Sequence, residues 1–326
     1  MNDAFQRNIN YLRISVTDKC NLRCVYCMPE EGIELTHHKE ILRLEEIYKI
    51  IQSAVMVGIT KVRFTGGEPL VRKGITDLIR MVRDIPEIDD IALTTNGILL
   101  REMALALKKA GLNRVNISLD TLSPDKFTQI TRGGQLGKVW LGIEKARDVG
   151  FDPIKINTVA IRGFNDNEVQ EFVDLTRTIP LHVRFIELMP IGPGKLAARD
   201  GYISTAEMIE AISSRQEIIA EKKLTGNGPA RYYRIPGAPG TIGFISPISN
   251  HFCETCNRLR LTAEGQLRPC LQSPKEIDIK TALRGGASQL ELANIIRLAI
   301  NSKPEKHDMA ESGWTGNRRV MTQIGG

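Results

Sequence analysis

Six short runs of β-forming residues punctuate the first two thirds of the chain: LRISV (12–16), KVRFT (61–65), IALTT (91–95), RVNISL (114–119), IKINTVAI (154–161) and HVRFIEL (182–188). Between them, apolar residues recur at three- and four-residue spacing, which predicts helices at about 44–57, 75–84, 101–110, 135–149 and 166–178. Strands alternating with helices demand a parallel sheet with helical cover. Six consecutive units predict an α/β fold, an incomplete TIM-type (βα)6 barrel.

The pattern changes after about residue 200. A helix near 204–214 precedes the turn-rich TGNGPARYYRIPGAPGTIGF, and in RLRLTAEGQLRPC two short alternating runs flank Ala263-Glu264-Gly265 as a hairpin would. Helical spacing returns at about 276–284 and 288–300. This reads as a barrel domain over 1–225 and a smaller C-terminal α+β region over 226–326.

Two strands break the usual rule for such folds. Arg13, Ser15 and Thr17 alternate with Leu12, Ile14 and Val16, and Asn116, Ser118 and Asp120 alternate with Val115, Ile117 and Leu119. Strands of a packed α/β core are apolar on both faces. A polar inner face implies a wet, ligand-filled barrel interior.

At 326 residues the chain can bury a large core, and no apolar run approaches the roughly 20 residues of a membrane span. MNDAFQRNINYLR lacks the apolar core of a signal peptide, so a cytoplasmic protein with no membrane partner is expected. Thiols stay reduced there, which turns six cysteines toward metal and away from disulfides. The net charge of +6 favours anionic partners in general. With aromatic residues at 5%, no basic, aromatic-interleaved face for nucleic acid is apparent.

The six cysteines fall into two triplets: Cys20, Cys24 and Cys27, then Cys253, Cys256 and Cys270. Three thiolates can hold a cubane iron-sulfur cluster while leaving one iron open to a reactant, whereas electron carriers use four. Because Cys-x2-Cys is also a zinc half-site, the second triplet with His251 reads as a zinc set just as readily. The first triplet follows the first strand, at the rim where barrels build active sites. Gly66-Gly67-Glu68-Pro69 ends the second strand; taken alone it is a turn, but its glycines admit close approach and its carboxylate suits an ammonium group.

The first triplet resembles the cluster motif of the radical S-adenosylmethionine (SAM) superfamily. VTDKCNLRCVYCMP, RFTGGEPL, LTTNG and CETCNRLRLTAEGQLRPC, with Gly325-Gly326, resemble more narrowly the GTP 3',8-cyclase family of molybdenum cofactor biosynthesis. The resemblance implies two 4Fe-4S clusters, one per triplet, and S-adenosyl-L-methionine as cofactor, contacted by Tyr26, Gly67, Ser118 and Met189. It implies GTP as substrate, contacted by Arg13, Arg63, Thr94, Lys155, Arg258 and Arg260, and a tail glycine pair that reaches the site. The implied reaction converts GTP to (8S)-3',8-cyclo-7,8-dihydroguanosine 5'-triphosphate while SAM is cleaved to methionine and 5'-deoxyadenosine. Implied partners are an external one-electron reductant and a downstream cyclic pyranopterin monophosphate synthase; a homodimer is compatible. Rival readings are a radical enzyme that modifies RNA or a peptide, and a zinc-stabilised binding module. The loop PEEGIELTHHKEIL has no assigned role, its His37-His38 pair reads as a surface feature, and Arg318 and Arg319 are left between tail function and surface charge.

Overall fold

The computed structural model describes residues 1–221, 228–307 and 319–325, without the side chains of 194–197. Arg318 and Gly326 lie outside the described residues. The six predicted strands are all present: β1 (Tyr11–Ser15), β2 (Lys61–Thr65), β3 (Asp90–Thr95), β4 (Arg114–Ser118), β5 (Ile154–Ala160) and β6 (Leu181–Glu187). They pair in parallel in chain order. Helices Leu44–Val55, Ile75–Arg83, Leu100–Lys109, Leu136–Asp148 and Val169–Thr178 cover the outside, where Leu12, Ile14, Val62, Phe64, Val115 and Ile117 are fully buried.

Strands β7 (Ile219–Glu221), β8 (Arg231–Arg234), β9 (Thr241–Ile245), β10 (Arg258–Leu261), β11 (Gln266–Arg268) and β12 (Ile277–Asp278) extend the sheet. The order is β12-β11-β10-β1-β2-β3-β4-β5-β6-β9-β8-β7. β10 runs parallel to β1 and β9 parallel to β6, so the later chain adds a parallel strand at each edge of the six-stranded core. One sheet therefore spans both sides of residue 225. The expected hairpin around Ala263-Glu264-Gly265 joins antiparallel β10 and β11.

Helix ends follow local chemistry. Ser204 and Glu207 form a reciprocal capping box at Thr205–Ser213, and Ser288 and Glu291 do the same at Gln289–Asn301. Helix Pro124–Thr131 was not legible from periodicity; Ser123 accepts from Lys126 N–H and proline stands in its first turn.

Candidate active site

Strand topology separates the two triplets. Cys20, Cys24 and Cys27 follow β1, at the C-terminal rim. Cys253 and Cys256 precede β10, parallel to β1, and Cys270 follows the antiparallel β11, so these three gather at the opposite end. A single cavity of about 300 Å³ is bordered by all six. Every other candidate residue also lines it except Lys155, which lies two residues before the lining Asn157 on the same face of β5 and is buried.

At the first end, the Cys27 and Met28 N–H groups donate to the Cys24 carbonyl, closing the turn. Burial pushes the Cys20 thiol up to about 12, and the hydrogen bond with Cys27, together with burial, raises the Cys24 thiol as well. Gly67 is required by packing: a Cβ there would stand 2.3 Å from the Lys19 carbonyl oxygen. Its close approach is thus to the strand-to-cysteine backbone. Burial lifts the Glu68 carboxyl to about 7, against hydrogen bonds from Asn96 N–H (2.7 Å), Leu70 N–H (3.0 Å) and the Thr95 hydroxyl (2.8 Å). The Tyr26 hydroxyl donates to Asp120 at 2.5 Å, and burial raises Asp120 to about 6.

The opposite end is basic. Burial pushes the Cys256 thiol up, but the Arg258 guanidinium and Lys303 outweigh it and hold it at about 6. Lys303 Nζ donates to the Arg258 carbonyl (3.0 Å) and the Pro269 carbonyl (2.8 Å), and Arg7 donates to the Cys253 carbonyl (3.0 Å). These backbone ties fix the strand that follows Cys256 and the residue before Cys270. His251, the alternative zinc ligand, is exposed beside His307 and does not border the cavity. Among the described residues no three His, Cys, Asp or Glu groups close on a single metal ion. All six thiols are free, and with three on each end the donor sets suit clusters wider than one ion.

Between the ends, Arg260, Arg13 and Arg63 stand side by side across β10, β1 and β2. Arg184, absent from the sequence reading, joins them, donating to Asn116 Oδ1 at 3.0 Å. Its signal was present, since His182 and Arg184 put polar residues at alternate positions of HVRFIEL, as in the first and fourth strands. The Nε atoms of Arg63 and Arg184 are buried without a hydrogen-bond partner among the described residues, which fits an anionic ligand. Burial and the Arg184, Arg114 and Arg63 charges depress the Lys155 ammonium to about 6. The segment 319–325 reaches the same space: Arg260 donates to the Gly325 carbonyl at 2.9 Å, and Ile324 packs on Ile191. Arg319 is committed to Glu264 and Glu276. His37 and His38 are exposed and face each other.

An open parallel barrel with three cysteines on the loop after its first strand defines a radical SAM enzyme. The Radical SAM superfamily model matches residues 14–176, and the Molybdenum Cofactor Synthesis C model matches 181–309. The GTP 3',8-cyclase of Pelotomaculum thermopropionicum is 57% identical over 327 residues, and that of Moorella thermoacetica is 52% identical over 326; each alignment covers 100% of both chains. The chain belongs to the GTP 3',8-cyclase family. Among solved structures, Streptococcus suis SuiB bound to precursor peptide SuiA aligns over 98% of this chain and 76% of its own, with TM-score 0.63 and 14% identity, a likeness of fold. No helix among the described residues is long and apolar enough to cross a membrane.

Proposed function

We infer that this chain is a GTP 3',8-cyclase that acts in molybdenum cofactor synthesis, forming (8S)-3',8-cyclo-7,8-dihydroguanosine 5'-triphosphate from GTP. The observation that carries the reading is one cavity with a cysteine triplet at each end and a bank of guanidinium groups between them. Its charge is polarised: Glu68 and Asp120 stand near the first triplet, and Arg258 and Lys303 near the second. The first end suits the cationic SAM, and the arginines suit a polyanionic nucleotide.

Cys20, Cys24 and Cys27 hold one 4Fe-4S cluster, and Cys253, Cys256 and Cys270 hold a second. With SAM bound and one electron supplied from outside, the first centre would provide the reductive cleavage chemistry that starts hydrogen removal from ribose C3' of GTP. Tyr26, Gly67, Ser118 and Met189 position SAM. Arg13, Arg63, Thr94, Arg258 and Arg260 grip GTP, the planar guanidinium forks of the arginines matching phosphate oxygens. Lys155 reaches the nucleotide from beneath Asn157. The surrounding barrel excludes water from reactive carbon centres. An external reductant supplies electrons, and a cytoplasmic cyclic pyranopterin monophosphate synthase takes the product.

Anaerobic incubation of reconstituted protein with GTP, SAM and dithionite tests the reading. Cyclised nucleotide and 5'-deoxyadenosine in equal amounts are expected. Cys270→Ala should still release 5'-deoxyadenosine slowly but form no cyclised product. Full cyclisation by that variant would remove the second centre from the reaction.

A further inference from the structure

Tyr11 opens β1 two residues before Arg13 and therefore faces the same barrel interior. Its ring is only 3% exposed and borders the cavity. The Arg63 guanidinium carbon lies 5.5 Å from the ring centroid, a cation–π contact that holds the ring in place. Across the β1–β10 pair, Tyr11 is in register with Arg258. Its hydroxyl is buried with no hydrogen-bond partner among the described residues.

The lack of a partner has a chemical cause. Arg13, Arg63, Arg184 and Arg258 are charged neighbours of Tyr11. A guanidinium offers donors and no acceptor. These groups can donate to the phenol oxygen, but none can take its proton. A buried hydroxyl without an acceptor is costly, and β-branched or phenyl side chains would fill the position without that cost. Among the described residues no acceptor oxygen reaches the Tyr11 hydroxyl, and the cations gathered around it select an anionic one.

We propose that the Tyr11 hydroxyl donates a hydrogen bond to a triphosphate oxygen of the bound nucleotide, making Tyr11 a binding residue beside the arginines. The inference rests on the GTP reading above and adds a donor that is neither a cation nor part of the cysteine motifs. Tyr11 thereby distinguishes a phosphate oxygen by direction as well as by charge. Its ring remains a wall under Arg63 whichever ligand is present.

The test is Tyr11→Phe in the full-length, anaerobically reconstituted protein, which removes the hydroxyl and keeps the ring. Equilibrium dialysis would measure affinity for GTP, GMP and guanosine, with iron content and the thermal midpoint of the nucleotide-free protein recorded in parallel. GTP binding is expected to weaken about ten- to hundredfold, guanosine binding to change less than about twofold, and iron content and thermal midpoint not to fall. A GTP affinity equal to wild type overturns the proposal, as does an equal loss for guanosine, which would place the hydroxyl at the base. A lowered midpoint or lost iron overturns it too, because the hydroxyl would then be a structural partner. Arg260→Ala serves as reference: if wild type itself fails to prefer GTP over guanosine, the functional reading falls, whereas loss in Arg260→Ala without loss in Tyr11→Phe removes only Tyr11.

Discussion

Arg13 and Arg260 are cross-strand partners, facing each other in register on β1 and β10. Burial, with Arg260 adding to it, drives the Arg13 guanidinium well below its usual range; burial and Arg258 bring Arg260 to about 10. A pair of buried like charges is unfavourable until an anion joins it. Arg260→Ala should therefore weaken GTP binding about ten- to hundredfold while guanosine binding stays near its wild-type value. Parallel titrations with the two ligands check this, and equal losses would assign Arg260 to the base or the fold.

Lys155 should make nucleotide binding a proton-linked event. Its folded value of about 6 lies below the ordinary 10.5, so the unfolded chain holds more protons between those values. Nucleotide-free stability should accordingly rise with pH across that window. A bound triphosphate restores the charged form, so GTP binding near pH 7.5 should take up about one proton, and affinity should decline as pH rises above about 6. Calorimetry in buffers of different ionisation heat reads the uptake. Lys155→Met should abolish it and flatten the pH dependence of stability; uptake that persists would place the proton elsewhere, His182 being the nearest other base in register.

Gly67→Ala should disable SAM cleavage without unfolding the protein. The added Cβ would meet the Lys19 carbonyl oxygen at 2.3 Å and its carbon at 2.6 Å, backbone atoms that no rotamer can clear. The strain passes directly to the loop beginning at Cys20. Total iron should drop by about half, since the distant triplet keeps its set. Normal 5'-deoxyadenosine formation by this variant would show that the loop yields without consequence.

Lys303→Met should lose the C-terminal iron although every cysteine remains. The Nζ contacts to the Arg258 and Pro269 carbonyls tie together the strand after Cys256 and the residue before Cys270. Its charge also favours the Cys256 thiolate. Iron and sulfide analysis, with Lys303→Arg as a partial rescue, separates this from loss of fold. Full iron in Lys303→Met would reduce Lys303 to a backbone tie that the cluster does not need.

The six barrel strands could be read from sequence because each is a short β-rich run bounded by helical spacing, and the polar alternation in β1 and β4 announced the cavity. β8 and β9 were hidden in RYYRIPGAPGTIGF, where glycine and proline signal turns. Within β9, position 243 is glycine because a Cβ there would come within 2.9 Å of both Arg184 Cγ and Tyr232 Cε1. That crowding is tertiary and leaves no local trace. Lys303 was invisible for a similar reason: its partners are carbonyl oxygens, which every residue has. The pairing of β10 with β1 also lacked a local signal, since register between distant strands is set by the assembled sheet.

That pairing dictates a timetable for synthesis. β1 is among the first segments made, yet the strand that covers its free edge begins at Arg258, roughly 250 residues later, which at ribosomal speeds is about 10 to 50 seconds. During that interval the edge beside Arg13 has no lasting mate and is open to pairing with another chain. Ribosome-bound chains stalled before residue 258 should therefore exchange rapidly those β1 amide hydrogens that face the uncovered edge, while those of the β3–β4 ladder are already slowed. The arginine bank is consequently a late product of translation, completed only once β10 has been made and set beside β1.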